Sequence, residues 1–218
     1  MATTFRELKR RVFIGFPRTD GEAVLAVEQS INDIIKLISS LEDISSQLLI
    51  DTTSAATVIS QKTYHISDDF VLIRCKDIHS MRLIDSSNSI KLRYVPHSDI
   101  DRIRPYPESD TTGRPIWYTT FGDYIELFPI PDAVYNITIR YSQWPDVLDS
   151  ETDQSPYSYE WDHVIVFLAK DLANAYLNGS YYSAADRAYQ FLSTARRSSK
   201  NSDSLLFANP FTQWHRKP

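Results

Sequence analysis

The stretch YIELFPIPDAVYNITIRY, from Tyr124 to Tyr141, decides the reading of the fold. Tyr124-Ile125-Glu126-Leu127-Phe128 has the composition of a strand, rich in aromatic and aliphatic residues. Pro129-Ile130-Pro131-Asp132 then marks a turn, because proline removes a backbone donor and aspartate favours turns. Tyr135 to Tyr141 alternates strictly, so Tyr135, Ile137, Ile139 and Tyr141 share one face, which should pack inward. Immediately upstream, Ile116 to Thr120 is a further strand, joined to Tyr124–Phe128 through Phe121-Gly122-Asp123 as a hairpin turn. An antiparallel sheet therefore occupies the middle of the chain.

Working outward, strand patterns continue upstream. Ile50–Ile59, Lys62–Ile66, Phe70–Cys75, Met81–Ile84 and Ile90–Tyr94 are predicted strands, with Ser67-Asp68-Asp69 as a turn. Ser98–Arg104 reads as a single helical turn, and Glu108–Pro115 as an exposed loop. Both flanks are helical. Thr4 and Glu7 have capping-box spacing, predicting a helix over 5–13. Thr19 and Glu22 repeat that spacing before Val24, Val27, Ile31, Ile34, Ile35, Ile38 and Leu41, one apolar stripe of a long helix. Downstream, Ser155-Pro156 is a start signal for a helix whose stripe runs from Trp161 to Tyr176. Asn178-Gly179 stops it, and Ser180 caps a second helix carrying Ala185, Ala188, Tyr189, Leu192 and Ala195. The predicted fold class is α+β. A helical bundle combines the N-terminal helices (1–47) with a C-terminal helical hairpin (151–197), around a β-rich insertion (48–150). Residues 198–218 form an extended docking tail with no clear period, yet it holds Leu205, Leu206, Phe207, Phe211 and Trp214, more large apolar groups than a solvated tail keeps.

Composition bounds the function. A chain of 218 residues buries about 70% of the surface its unfolded form exposes, so a proper core is within reach. At 42% apolar and 23% charged it is globular rather than disordered. A single cysteine, Cys75, excludes a disulfide scaffold and points to synthesis in a reducing cytoplasm. No apolar run approaches the ~20 residues of a membrane helix, and MATTFRELKRRVF lacks the apolar segment of a secretory signal, so no membrane partner is expected. The net charge of −5 conceals an asymmetry. Residues 1–18 carry Arg6, Lys9, Arg10, Arg11 and Arg18 against Glu7, and residues 196–218 carry Arg196, Arg197, Lys200, Arg216 and Lys217 against Asp203. Each end is net positive, so the body between is strongly acidic. Such a body is a poor DNA-binding groove, since phosphate binding relies on clustered cations.

Catalytic chemistry is not visible. The five histidines, His65, His79, His97, His163 and His215, lack the spacing of a zinc pair, so no metal and no cofactor is expected. No nucleophile elbow, Walker-type loop or dinucleotide fingerprint occurs. Asp68 and Asp69 are better turn formers than an acid/base pair. Thirteen tyrosines, ten phenylalanines and four tryptophans are an enrichment that core packing largely absorbs. The tail aromatics Phe207, Phe211 and Trp214 escape it. With Arg196, Arg197, Arg216 and Lys217 they form a candidate partner-binding set, suited to an arm anchored in a neighbour's groove.

The layout resembles the head-to-tail adaptor (connector) proteins of tailed bacteriophages. Ile31-Asn32-Asp33-Ile34-Ile35 is similar to part of that family's first long helix. Gln61-Lys62-Thr63-Tyr64-His65-Ile66-Ser67-Asp68-Asp69-Phe70 resembles its Q-x-x-Y-x-L-P-x-D-F strand and turn, with Ser67 in place of the proline. Gly113-Arg114-Pro115, Tyr124 to Asp132, Tyr135 to Tyr141 and Pro145 resemble its G-x-P … L-x-P-x-P-D … Y-x-L-x-x-x-Y … P core. The resemblance covers residues 4–197, and its motifs are structural. It implies a non-enzymatic virion protein at the head–tail junction, assembled in the host cytoplasm: a ring, commonly twelvefold, beneath the portal protein. Such a ring extends the channel for double-stranded DNA, which passes without sequence-specific contact, and offers a platform for tail or nozzle proteins. Copies in a ring meet through two different surfaces, so an apolar or aromatic strip should remain exposed on the isolated subunit. The competing readings are a viral receptor- or carbohydrate-binding β module, a DNA-binding protein resting on the basic ends, and a hydrolase with an unrecognised polar pocket.

Overall fold

A computed structural model describes residues 3–41, 49–85, 88–103 and 111–200. In chain order its elements are α1 (Phe5–Phe13), α2 (Gly21–Ser40), β1 (Leu49–Ala56), β2 (Thr63–His65), β3 (Cys75–Asp85), β4 (Asn88–Lys91) and β5 (Arg93–Tyr94). There follow α3 (His97–Ile103), β6 (Thr112–Gly113), β7 (Trp117–Phe121), β8 (Tyr124–Phe128), β9 (Ile130–Pro131), β10 (Asn136–Gln143), α4 (Asp162–Leu177) and α5 (Tyr181–Lys200). The fold is mixed α+β. The chain divides into two compact units, residues 1–47 with 146–218, and residues 48–145.

In the first unit, α1, α2, α4 and α5 share one apolar core. Thr4 caps α1, its hydroxyl accepting from the Glu7 amide, and Phe5, Leu8 and Val12 form the buried stripe. Asp20, one residue after Thr19, caps α2 by accepting from the Ala23 amide at 2.9 Å. The helix then buries Val27, Ile31, Ile34, Ile35 and Ile38. α4 touches α1, α2 and α5, and buries Ile165, Leu168, Ala169, Leu172 and Ala173 as one stripe at i, i+3, i+4, i+7 and i+8. It begins at Asp162, after a 3-10 turn over Tyr159–Trp161, and not at Ser155-Pro156. The reason is that Ser155–Tyr157 is used otherwise. The Ser155 amide donates to Thr3 O at 2.9 Å, and the buried Tyr157 hydroxyl donates to Ile35 O at 3.2 Å. A Schellman motif ends α4: Ser180 N donates to Ala175 O at 2.8 Å, Gly179 N to Tyr176 O at 3.3 Å, and Gly179 has φ +69°. Within this unit Asn32 holds the segment that leads toward α4. Its side-chain amide accepts from the Leu148 amide at 2.8 Å and donates to Leu148 O at 3.0 Å.

The second unit holds a four-stranded sheet of order β1-β10-β3-β4, another of order β2-β8-β7-β5, and a small parallel pair β6-β9. Ile137 and Ile139 stand opposite Leu83 and Met81, and all four are fully buried. Tyr141 follows them inward, while Tyr135 is only half-buried. Gly122 takes φ +56° in the β7–β8 turn, a conformation without steric cost only for glycine. The predicted strand at Phe70–Cys75 is absent. The Phe70 amide donates back to His65 O and the Leu72 amide to Ile66 O, with Val71 and Arg74 at φ 54° and 49°. This fold-back buries Phe70, stacked 4.9 Å from the Tyr64 ring, together with Leu72. Burial of two large apolar side chains thus overrides strand propensity, and the strand begins at Cys75 and absorbs Met81–Ile84.

Candidate partner-binding surfaces

Of the predicted binding residues, only Arg196 and Arg197 fall within a described element. Arg196 and Arg197 belong to α5, but their side chains, with Phe207, Phe211, Trp214, Arg216 and Lys217, are outside the described residues. At the other basic end, most of the charge is already engaged. Lys9 Nζ bonds Glu28 at 2.8 Å and also Glu151. Burial pulls the Lys9 pKa down, but its hydrogen bonds to Glu151 and Glu28 and their charges outweigh it, and the pKa stands above its ordinary value. Arg11 pairs with Glu7 and the buried Asp162, and Arg18 with Asp20 and Glu22. Arg10 is left largely exposed, 3.5 Å from Glu7.

Groups able to carry chemistry are dispersed or engaged in structure. Among the described residues no three His, Cys, Asp or Glu side chains gather to hold a metal ion, and no helix is long and apolar enough to cross a membrane. Burial pushes the Cys75 thiol up to about 11, with the Asp77 charge adding to it, so the reactive thiolate is scarce near neutrality. His65 Nδ1 lies 3.0 Å from Ser67 Oγ, yet that hydroxyl donates to Asp68 Oδ1 at 2.9 Å within the same exposed turn. The imidazole is therefore not placed as its base. Asp69 accepts from the His65 amide at 2.6 Å, a turn-forming role.

Apolar groups on the surface are the more informative feature. Strand register places His65 opposite Tyr124, and Tyr124 opposite Phe121. The His65 and Tyr124 rings are 5.1 Å apart, and His97 of α3 sits 4.6 Å from Phe121. A transverse row of four rings results, with Tyr124 and Phe121 exposed. The fold-back after β2 presents Val71 and Ile73 to solvent while Phe70 and Leu72 point inward. In the helical unit, α5 buries Ala184, Ala188 and Leu192 and turns Tyr182, 85% exposed, and Tyr189 outward. Between α4 and α5 runs an open groove of about 440 Å³. Phe167 and Phe191 form its floor, ring centroids 6.3 Å apart, and the Arg187–Asp171 ion pair at 2.9 Å lies along it.

Sequence reasoning expected an exposed apolar or aromatic strip without placing it, although signals exist for two of these surfaces. Phe167 is an aromatic out of phase with the stripe at Trp161, Val164, Ile165, Leu168 and Leu172. The two-residue turn at Gly122-Asp123 already implies that Phe121 and Tyr124 face each other.

None of the curated proteins compared matches this chain. A family model described as SU10 adaptor protein matches residues 3–210, nearly the whole length. The chain therefore belongs to the SU10 adaptor protein family, a structural family of phage adaptors.

Proposed function

We propose that this protein forms a ring beneath the portal of a tailed phage, at the head–tail junction, extending the DNA channel and seating tail or nozzle proteins. Membership of the adaptor family across residues 3–210 is the observation that carries this reading. The acidic body supports it, because a channel poor in clustered cations lets the DNA backbone slide. The helical segments 1–47 and 151–197 form the bundle of each subunit, and residues 48–150 its β-rich insertion. Residues 198–218, with Arg196 and Arg197 before them, supply a tail whose Phe207, Phe211, Trp214, Arg216 and Lys217 bind the portal or an adjacent copy. Neighbouring copies meet through unlike surfaces. The exposed ring row and the aromatic face of α5 are suited to such contacts, since aromatic residues are enriched in interface cores. Electron microscopy of the protein mixed with its purified portal should show a closed ring bound to one end of the portal. A mixture that stays as separate particles at micromolar concentration would refute the assignment.

A second reading, a viral receptor- or carbohydrate-binding β module, is favoured by Tyr94, Phe121 and Tyr124, all exposed on the β unit. Binding on a glycan array that Phe121→Ser abolishes would select it.

A further inference from the structure

We propose that the α4–α5 groove is the docking site of the chain's own C-terminal segment, residues 201–218, before any partner is met. The groove is apolar at its floor, with Phe167 52% exposed and Phe191 and Ala188 beside it. The exposed face of Phe167 gives a docking segment apolar surface to cover.

The helix that forms one wall leads directly into the segment. From Phe191 to Lys200 is nine residues, about 14 Å of helix at 1.5 Å per residue. The seven residues from Asn201 to Phe207 span up to about 25 Å when extended. Phe207 can therefore turn back and reach Phe191 and Phe167 with length to spare. From Phe207 to Phe211 is about 13 Å extended, and the groove from Phe167 to Asn174 is about 10 Å of helix, so the two aromatic anchors match its length.

The segment has the right chemistry. It carries Leu205, Leu206, Phe207, Phe211 and Trp214, with its cations gathered after the aromatics at Arg216 and Lys217. The occupant is the same chain and not a second copy, because a short tether gives an effective concentration in the millimolar range, far above the working concentration of a free subunit. Docking conceals the apolar anchors on the isolated subunit, and a partner that binds the segment must exchange with the groove.

The test uses the full chain alone, so its outcome does not depend on the ring assignment. Phe207→p-benzoylphenylalanine is introduced, the monomer fraction is irradiated at nanomolar concentration, and the cross-linked peptides are mapped by mass spectrometry. Cross-links should join residue 207 to 167–174 or 187–191 within single chains. They should fall at least tenfold in Phe167→Glu, a change at a half-exposed position whose folding is checked by circular dichroism. Cross-links found only between two chains, directed elsewhere, or undiminished by Phe167→Glu in folded protein would overturn the proposal. If Phe167→Glu does not fold, the wild-type groove is challenged with a synthetic peptide of residues 201–218. At several millimolar, above the effective concentration of the tethered segment, the peptide should reduce the intramolecular cross-links, and an unchanged yield there would overturn the proposal equally.

Discussion

Asp162 is fully buried at the first turn of α4, where the helix dipole favours a carboxylate. One of its oxygens accepts from Arg11 Nη1 at 3.0 Å and from the Thr3 hydroxyl. Removing the guanidinium leaves a buried carboxylate without its counter-charge. Arg11→Met should therefore cost about 3 kcal/mol of stability, measured by urea denaturation, and adding Asp162→Asn should recover part of it because a neutral amide needs no counter-charge. Tyr64 plays the matching part in the β unit. Its hydroxyl accepts from the Val58 amide at 3.0 Å and lies 2.9 Å from Gln61 O. Tyr64→Phe leaves those groups unsatisfied in a half-buried turn and should cost about 1–3 kcal/mol, read from the same denaturation curve. Legibility at this scale follows sequence distance. The Thr4 cap was readable because donor and acceptor are three residues apart. The role of Asp162 was not, since its partners lie 159 and 151 positions away.

Elements were readable wherever local pattern and burial agree. The alternation around β10 and the stripe of α2 predict most of the buried residues, Tyr135 and Val24 being only partly covered, because one period matches one buried face. Prediction failed where distant contacts captured the chain, at the fold-back holding Phe70 and Leu72 and at the segment from Ser155 to Tyr157, laced to Thr3 and Ile35. The α4–α5 corner tests the local rules separately. A Cβ at Gly179 meets nothing within 4 Å, so the cost of Gly179→Ala comes from its φ of +69° alone. It should be about 1–2 kcal/mol, and Gly179→Asn should cost less, both visible as shifts in thermal midpoint.

At the scale of the molecule, alkaline pH should loosen the helical unit. Burial, with the Asp33 hydrogen bond and charge, pushes the Tyr181 phenol up to about 12, and burial likewise raises that of Tyr157. Both phenols keep their protons longer when folded than when unfolded. Their contribution is present below about pH 10, the unfolded value, and is lost as pH rises toward 12, because the unfolded state releases its protons first. Urea midpoints at pH 9, 10, 11 and 12 should fall accordingly, and Tyr181→Phe should flatten the decline. Much of the candidate interface was not legible in the sequence, because a surface is the complement of a core and emerges only when strands and helices are placed side by side. Thr3 and Phe5 are bonded to Ser155 and Asp153, and Arg11 to Asp162, so the opening residues have no finished site until more than 160 residues have been translated. Residues 48–145, by contrast, complete their own core as soon as they leave the ribosome. Biosynthesis should accordingly close the middle of this polypeptide first and join its beginning to its later helices afterwards.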